Sequence, residues 1–433
     1  DGNTGLGVDV FAALTSGDNN TAIGKGTMGA NTTGVNNTAV GQAALDANTT
    51  GINNVAVGWE SLGANTDTSY NTALGWRCLE DNTASDNTGV GAGALRNNTS
   101  GTNVGVGKDA LTTNTTGTRN TAVGYNALDA VDTTNDHTAV GYNALTACTS
   151  GGANTAVGTQ CADAVTSGDD NTAMGNLALS AATTVDDNTA IGSGAMRYST
   201  GASNTAVGKS ALGASSNSGD NNTIVGAGAG ISFTSASNNT CIGKGAGNNQ
   251  TTGGQNTFVG ENARGSAVGT EVSIVLGYNT VGQGDYYTTL GSGAGSDRIY
   301  NNFSANASWT RVSDSRYKEE ITNNTDCGLS FINDLRPVTF KFKPLADIDN
   351  TLPDYDASKN SRLYDKKMYG LIAQEVKEAM DDNNITDFAG WDQGDNGIQG
   401  ISQEMFIHPL IKAVQELTAL NTALTTRIEA LEG

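Results

Sequence analysis

Glycine recurs at a near-constant spacing through the first two thirds of this chain. The spacing is 16 to 18 residues until a final step of 14, and Asn-Thr-Ala-Val-Gly-x-x-Ala-Leu occurs unchanged at 37–45, 120–128 and 204–212. A fixed period of this length predicts a solenoid, in which each repeat forms one coil stacked on the next. The periodic glycines are Gly7, Gly24, Gly41, Gly58, Gly75, Gly91, Gly107, Gly124, Gly141, Gly158, Gly175, Gly192, Gly208, Gly226, Gly243, Gly260, Gly277 and Gly291.

The repeated Asn-Thr-Ala-Val segment predicts the internal layout of a coil. Thr and Val share one face of a strand, and Asn and Ala share the other, so neither face looks freely solvated. Two short strands joined by Gly/Asn turns fit 17 residues, because these residues tolerate positive φ. Stacked coils place each Asn above the next, which predicts a ladder of side-chain amides. With strands about 4.8 Å apart, about 17 coils give a rod about 80 Å long.

Large apolar residues are scarce in the repeat, so one thin solenoid buries little surface by itself. The Ala-bearing face invites close approach by another chain. We therefore expect the solenoid to associate with copies of itself.

Composition divides the chain into three regions. All four prolines follow residue 312, whereas 50 of the 57 glycines precede it. We predict a mainly β shaft at 1–300, a linker without periodicity at 301–312, and an α/β domain at 313–433. Within that domain, the alternating segment 338–342 predicts a strand, and 369–380 predicts a strand that leads into a helix.

The last predicted element is a helix at about 408–432 with a coiled-coil seam. Its apolar residues are spaced alternately by four and three, and a polar residue within the seam is expected to fix the register. The alternative is an amphipathic helix that packs on its own domain. The seam consists of Leu410, Val414, Leu417, Asn421, Leu424, Ile428 and Leu431.

Charge and cysteine usage exclude several classes of function. The net charge of −21 argues against nucleic-acid binding. Five cysteines without a Cys-x-x-Cys pair indicate small buried residues rather than metal ligands, and a reducing compartment during synthesis. Neither histidine, His137 or His408, has partners typical of a metal site or catalytic triad. Acidic turns such as 186–187 leave calcium binding open, although none has the spacing of a calcium loop. We expect no cofactor.

The sequence contains neither a membrane-spanning segment nor a recognisable signal peptide. No stretch is apolar for long enough to span a bilayer, and no signal peptide opens the chain, so we expect no membrane insertion. The chain starts at Asp1 rather than Met. We therefore expect a mature or truncated piece of a longer protein.

The segment 313–321, Ser-Asp-Ser-Arg-Tyr-Lys-Glu-Glu-Ile, is the most specific local sequence. Together with Gly-Leu-Ile-Ala-Gln-Glu-Val at 370–376 and the terminal heptads, it closely resembles the C-terminal intramolecular chaperone domain of endosialidase-type phage tailspikes and tail fibres. The resemblance covers residues 313–433. The repeat more loosely resembles those of phage tail fibres and of trimeric bacterial adhesin heads.

The resemblance implies a self-cleaving chaperone that forms a homotrimer, with a trimeric coiled coil. Carried onto this chain, Ser313 is the nucleophile, Lys318 the general base, and the bond between Val312 and Ser313 the one that is cut. A lysine can act as a base only where burial favours its neutral amine. Tyr317 departs from the aliphatic residue common in the family. The alternative is that Ser313 caps a turn and Lys318 pairs with a nearby acid.

The leading functional prediction is therefore a structural, host-recognition tail fibre or spike of a virion, assembled in the host cytoplasm. Its partners would be a cell-surface glycan or protein receptor and, through a segment before Asp1, other virion tail proteins. Its only enzymatic act would be self-cleavage. Alternatives are a polysaccharide-degrading tailspike, a trimeric bacterial adhesin, and an ice-binding protein with flat threonine rows. We rank ice binding last because we expect the repeat threonines to face inward beside valine. The candidate glycan contacts are Trp59, Trp76, Tyr125 and Tyr142, each of which follows a repeat glycine.

Overall fold

The structure is a computed structural model and describes residues 2–213, 216–293, 297–302, 310–311, 315, 318–350, 355–362, 365–394 and 397–432. The chain forms two compact units, Asp1–Tyr317 and Lys318–Gly433. The first is a parallel β-solenoid and the second is a small α/β unit that ends in a long helix.

The solenoid is built from one short strand per coil. Each of the strands β1 to β17 pairs in parallel with the strand one coil further along, and equivalent residues are register partners. The strands are β1 Thr4–Leu6, β2 Thr21–Ile23, β3 Thr38–Val40, β4 Val55–Val57, β5 Thr72–Leu74, β6 Thr88–Val90, β7 Val104–Val106, β8 Thr121–Val123, β9 Thr138–Val140, β10 Thr155–Val157, β11 Thr172–Met174, β12 Thr189–Ile191, β13 Thr205–Val207, β14 Thr223–Val225, β15 Thr240–Ile242, β16 Thr257–Val259, β17 Ile274–Leu276 and β18 Tyr287–Gly291. The predicted 17-residue solenoid is confirmed.

The prediction of a second strand in each coil is wrong. The stretch after the repeat glycine consists of turns, in which Ala43 has φ +54° and Leu45 has φ +54°. These left-handed residues cannot lie in a strand. Their backbone N–H groups instead bond to coils on both sides: Ala43 N–H donates to Lys25 O at 2.9 Å, and Leu45 N–H donates to Ser61 O at 3.0 Å.

The repeat glycine is required by how closely the coils stack. Gly41 has φ +137°, and a Cβ placed on it would lie 2.5 Å from the carbonyl oxygen of Gly58 in the next coil. Both the backbone conformation and the lack of space therefore exclude a side chain. The same contact recurs along the glycine column, which explains the period.

The predicted orientation of the strands is also wrong. The middle residue of each strand, such as Ala39, is fully buried inside the coil, where it packs with leucines such as Leu45. The Thr and Val on either side of it, such as Thr38 and Val40, face outward and are half-buried. The Ala-bearing face therefore cannot contact another chain, because it forms the core of its own coil.

A ladder of buried asparagines, which the sequence predicts, runs along the inside of the solenoid. Asn37 donates its backbone N–H to Asn20 Oδ1 at 2.9 Å, and its Nδ2 donates to Gly51 O at 2.8 Å. The same two bonds recur for Asn54. The ladder thus satisfies backbone groups that the turns leave unpaired.

His137 takes the place of one asparagine in this ladder. Its N–H donates to Asn120 Oδ1 at 3.0 Å, and its Nδ1 accepts the N–H of Asn154 at 3.2 Å. The side chain is fully buried, with Nε2 2.8 Å from the hydroxyl of Thr134. Burial lowers the pKa of His137, although hydrogen bonds to backbone groups oppose the effect.

The sheet continues beyond the last parallel coil. Strand β19 (Arg298–Asn302) pairs antiparallel with β18, and β20 (Thr310–Arg311) pairs antiparallel with β19. Part of the segment predicted as an irregular linker is therefore strand.

In its described residues, the second unit contains three α-helices and two antiparallel strand pairs. Its elements are α1 Leu329–Asp334, β21 Val338–Phe340, β22 Met368–Gly370, α2 Ala373–Asp382, β23 Trp391–Gln393, β24 Gln399–Ile401, a 3-10 turn at Gln403–Phe406, and α3 Ile407–Glu432. β21 pairs antiparallel with β22, and β23 with β24. The predicted strand at 338–342, the strand–helix at 369–380 and the terminal helix are confirmed.

Candidate functional site

The core of the second unit is an aromatic cluster packed against α1 and α2. Phe331 is fully buried on α1, and its ring centroid lies 5.4 Å from that of Phe388 and 6.3 Å from that of Phe406. Val376 and Met380 of α2 pack into the same cluster. The segment 370–376 thus forms the junction between β22 and α2, and it supplies one of the core residues.

A carboxylate that the sequence analysis did not single out joins α1 to α3. Glu416 Oε2 accepts the backbone N–H of Leu329 at 2.7 Å, in the first turn of α1. This hydrogen bond, reinforced by Lys412 at 3.3 Å, holds the pKa of Glu416 below its ordinary value. The start of α1 lacks a side-chain cap of its own. The only signal in the sequence is an acidic residue beside the heptad seam.

The predicted seam of α3 is exposed. Leu410, Val414 and Leu417 are each more than half exposed, and Leu424, Ile428 and Leu431 are 56%, 45% and 80% exposed. Asn421 is exposed as well. Only Pro409 and Ala413 are buried on this helix. The first half of α3 contacts α1 through Glu416, whereas the seam residues are not covered by their own domain in the single chain.

The predicted cleavage site is only partly described. Val312 and Ser313 lie outside the described residues, whereas Lys318 is described and exposed. The division between the two compact units falls between Tyr317 and Lys318. The prediction that Ser313 and Lys318 form a dyad therefore stays a prediction.

The four aromatic residues predicted as glycan contacts form two stacked pairs on the solenoid surface. The ring centroids of Trp59 and Trp76 are 5.9 Å apart with planes at 17°, and those of Tyr125 and Tyr142 are 5.6 Å apart with planes at 13°. Trp76, Tyr125 and Tyr142 are 48%, 42% and 51% exposed. Because each pair is stacked across adjacent coils, the facing ring surfaces cover each other, and edges and outer faces remain accessible.

Charged residues surround the tryptophan pair. The guanidinium of Arg77 lies 4.9 Å from the ring centroid of Trp59 and 5.1 Å from that of Trp76. Arg77 also forms ion pairs with Glu60 at 3.0 Å and with Glu80 at 3.3 Å. The sequence analysis missed Arg77, although the coil period places it one coil after Glu60.

All five cysteines are free and buried, as predicted. Burial raises the pKa of Cys78 and Cys161 to about 12, and that of Cys148 to about 11. Such thiols are inert at neutral pH. Over the described ranges, we find no group of His, Cys, Asp and Glu side chains arranged to hold a metal ion. In the same part of the chain, no helix has the length and apolar character needed to cross a membrane.

Comparison with protein families identifies one segment of the chain. Residues 313–385 match the family described as chaperone of endosialidase. The comparisons with curated proteins and with solved structures gave no match. The match begins at Ser313, includes the 370–376 motif and ends before α3. The chain thus combines a parallel β-solenoid with a C-terminal segment of the endosialidase chaperone family, as fits a protein of the tail-fibre type that carries its own chaperone.

Proposed function

We propose that this chain is a structural, host-recognition tail fibre or spike of a bacteriophage. It assembles as a homotrimer, its C-terminal unit sets the alignment of the three chains, and that unit is then cut off before Ser313. The family match at 313–385 is the observation that carries this proposal. The free, buried cysteines are consistent with assembly in a reducing host cytoplasm.

The regularity of the solenoid explains why it needs a chaperone. Strands β8, β9 and β10 have the same sequence, Thr-Ala-Val, and are stacked in equivalent register. Sliding one chain past another by a whole coil would therefore match nearly all side chains again, and many alignments would be close in free energy. A separate unit that associates first removes this ambiguity.

Helix α3 is suited to that task because the apolar residues of its seam are exposed in the single chain. A 26-residue helix with exposed apolar residues at alternating spacings of four and three is typical of a coiled coil. Asn421 in the seam would fix the register at some cost in stability. The number three comes from the family resemblance.

The order of Ser313 and Lys318 in the sequence defines the steps of the proposed self-cleavage. The Ser313 hydroxyl attacks the carbonyl carbon of Val312 and transfers its proton to the neutral amine of Lys318. The bond between that carbon and the Ser313 nitrogen breaks, and Lys318 returns the proton to the departing amine. Water then hydrolyses the resulting ester between Val312 and the Ser313 oxygen.

Assembly can make this reaction conditional on correct folding. Lys318 is exposed in the single chain. A lysine serves as a general base only where its surroundings favour the neutral amine. Burial by neighbouring chains would favour the neutral amine. We infer that cleavage follows trimer formation.

Intact mass under denaturing conditions tests the cleavage. The wild-type chain should separate into pieces of 312 and 121 residues, as counted on the 433-residue sequence. Ser313→Ala should remain whole, and the matched control Ser315→Ala should be cut like the wild type. Cleavage of Ser313→Ala at the same bond would rule out the assigned nucleophile.

Host contact is assigned to the solenoid surface. The stacked pairs Trp59–Trp76 and Tyr125–Tyr142 expose aromatic edges beside charged groups, a combination that suits a glycan or a protein receptor.

A further inference from the structure

The outward side of the solenoid sheet carries no charge along its length. We call this surface the Thr/Val face and define it by the first and third residues of strands β1 to β17. Seventeen strands with two such residues each give 34 positions, all occupied by Thr, Val, Ile, Leu or Met. The third residues form an unbroken apolar row: Leu6, Ile23, Val40, Val57, Leu74, Val90, Val106, Val123, Val140, Val157, Met174, Ile191, Val207, Val225, Ile242, Val259 and Leu276.

This apolar row is open to solvent in the single chain. Ile23, Leu74 and Met174 are 38%, 37% and 42% exposed, and Ile242 is 43% exposed. The threonines beside the row make no side-chain hydrogen bond within the described part of the chain, which includes all of them. Their hydroxyl groups are therefore available to groups outside the chain.

The Thr/Val face is large enough to form one side of a protein interface. Seventeen strands about 4.8 Å apart, each about 10 Å wide over three residues, give about 800 Å². About 800 Å² per partner is the area of a standard stable protein interface.

Three observations favour another copy of this chain as the partner of the Thr/Val face. The coil length varies between 16 and 18 residues at fixed places along the chain. Only an identical chain in the same register therefore has its shorter and longer coils at the same levels. The net charge of −21 makes copies repel each other except across an uncharged surface. The exposed seam of α3 is an independent sign that identical, parallel chains associate.

We propose that the Thr/Val face is the surface along which copies of this chain pack, in parallel and in register. The inference rests on the proposed function, because α3 must first bring the copies together. In this arrangement the apolar row loses contact with water, and the threonines lie against neighbouring copies at the same level along the solenoid.

Thiol protection in the uncut Ser313→Ala chain tests the proposal. Met174→Cys places a thiol at an exposed position of the apolar row, Ser150→Cys places one on an exposed turn as the matched control, and Leu424→Cys reports on the seam of α3. The five native cysteines are buried and serve as an unreactive background. Circular dichroism must first show that each variant keeps the wild-type spectrum and melting temperature.

We expect Met174→Cys to react with a maleimide at least tenfold more slowly than Ser150→Cys, while Leu424→Cys forms an interchain disulfide on mild oxidation. Equal labelling rates at positions 174 and 150, together with a disulfide at 424, would overturn the proposed packing face but leave the assembly intact. Absence of the disulfide at 424 would refute the assembly itself, and with it both proposals.

Discussion

Replacing one asparagine of the ladder should destabilise the solenoid far more than replacing an exposed residue of the same coil. Asn54 is fully buried, and its backbone N–H and side chain together make three hydrogen bonds. Its N–H donates to Asn37 Oδ1 at 2.9 Å, its Nδ2 donates to Thr68 O at 2.8 Å, and its Oδ1 accepts the N–H of Asn71 at 3.0 Å. Asn54→Ala keeps the first bond and loses the other two.

The magnitude follows from what each lost bond leaves behind. The buried N–H of Asn71 is left without an acceptor, which costs about 1–3 kcal/mol. Thr68 O retains a bond from Asn65 Nδ2 at 3.2 Å, so losing the second bond costs only about 0.5–1.5 kcal/mol. We therefore expect Asn54→Ala to lower the free energy of unfolding by about 2–4 kcal/mol.

Denaturant unfolding followed by circular dichroism measures this change. The matched control is Thr50→Ala in the same coil, because Thr50 is exposed and its side chain makes no hydrogen bond that the structure describes. This control should change the stability by no more than about 0.5 kcal/mol. If unfolding is irreversible, the unfolding rates of the two variants are compared instead. Equal stability of the two variants would show that the ladder does not hold the coils together.

Two further predictions concern acid and the C-terminal unit. Because burial lowers the pKa of His137, the unfolded chain binds more protons than the folded chain once the pH falls below about 6.5, and stability declines from there until His137 is itself protonated in the fold. His137→Asn should therefore show a smaller drop in melting temperature between pH 8 and pH 5 than the wild type; an equal drop would contradict this. Deleting residues 313–433 from the gene should give aggregated or misaligned oligomers by size-exclusion chromatography, whereas a soluble, sharply melting trimer would refute the need for a chaperone.

The coil architecture could be predicted from the sequence because its constraints are local and repeated. A glycine that must have positive φ and must lie against the next glycine, as Gly41 does, recurs at every coil and sets the period. The buried asparagines are equally regular. His137, which replaces one of them, retains both of the ladder's backbone contacts.

The direction of the strand faces could not be predicted, because Thr, Ala and Val all suit a half-buried strand. What decides it is space: Ala39 fits inside a coil that is already filled by Leu45, and a branched side chain fits on the outside. The second strand was predicted wrongly because leucine normally avoids positive φ, yet Leu45 adopts it to bond with the next coil.

The sequence predicted the chaperone segment of the candidate site but not the long-range contacts within it. The segment 313–385 was recognisable from short motifs, and the family comparison bears it out. Contacts between residues far apart in the sequence could not be predicted from short motifs. The hydrogen bond from Leu329 N–H to Glu416 joins residues 87 apart, and no local sequence pattern predicts it.

The native mass of the assembled Ser313→Ala chain tests the central claim most directly, because the variant should remain uncut. Three copies of a 44.1 kDa chain amount to about 132 kDa, and native mass spectrometry or sedimentation equilibrium should find that species at micromolar concentration. A single species of 44.1 kDa under the same conditions would contradict the account, because neither the Thr/Val face nor the seam of α3 would then have a partner.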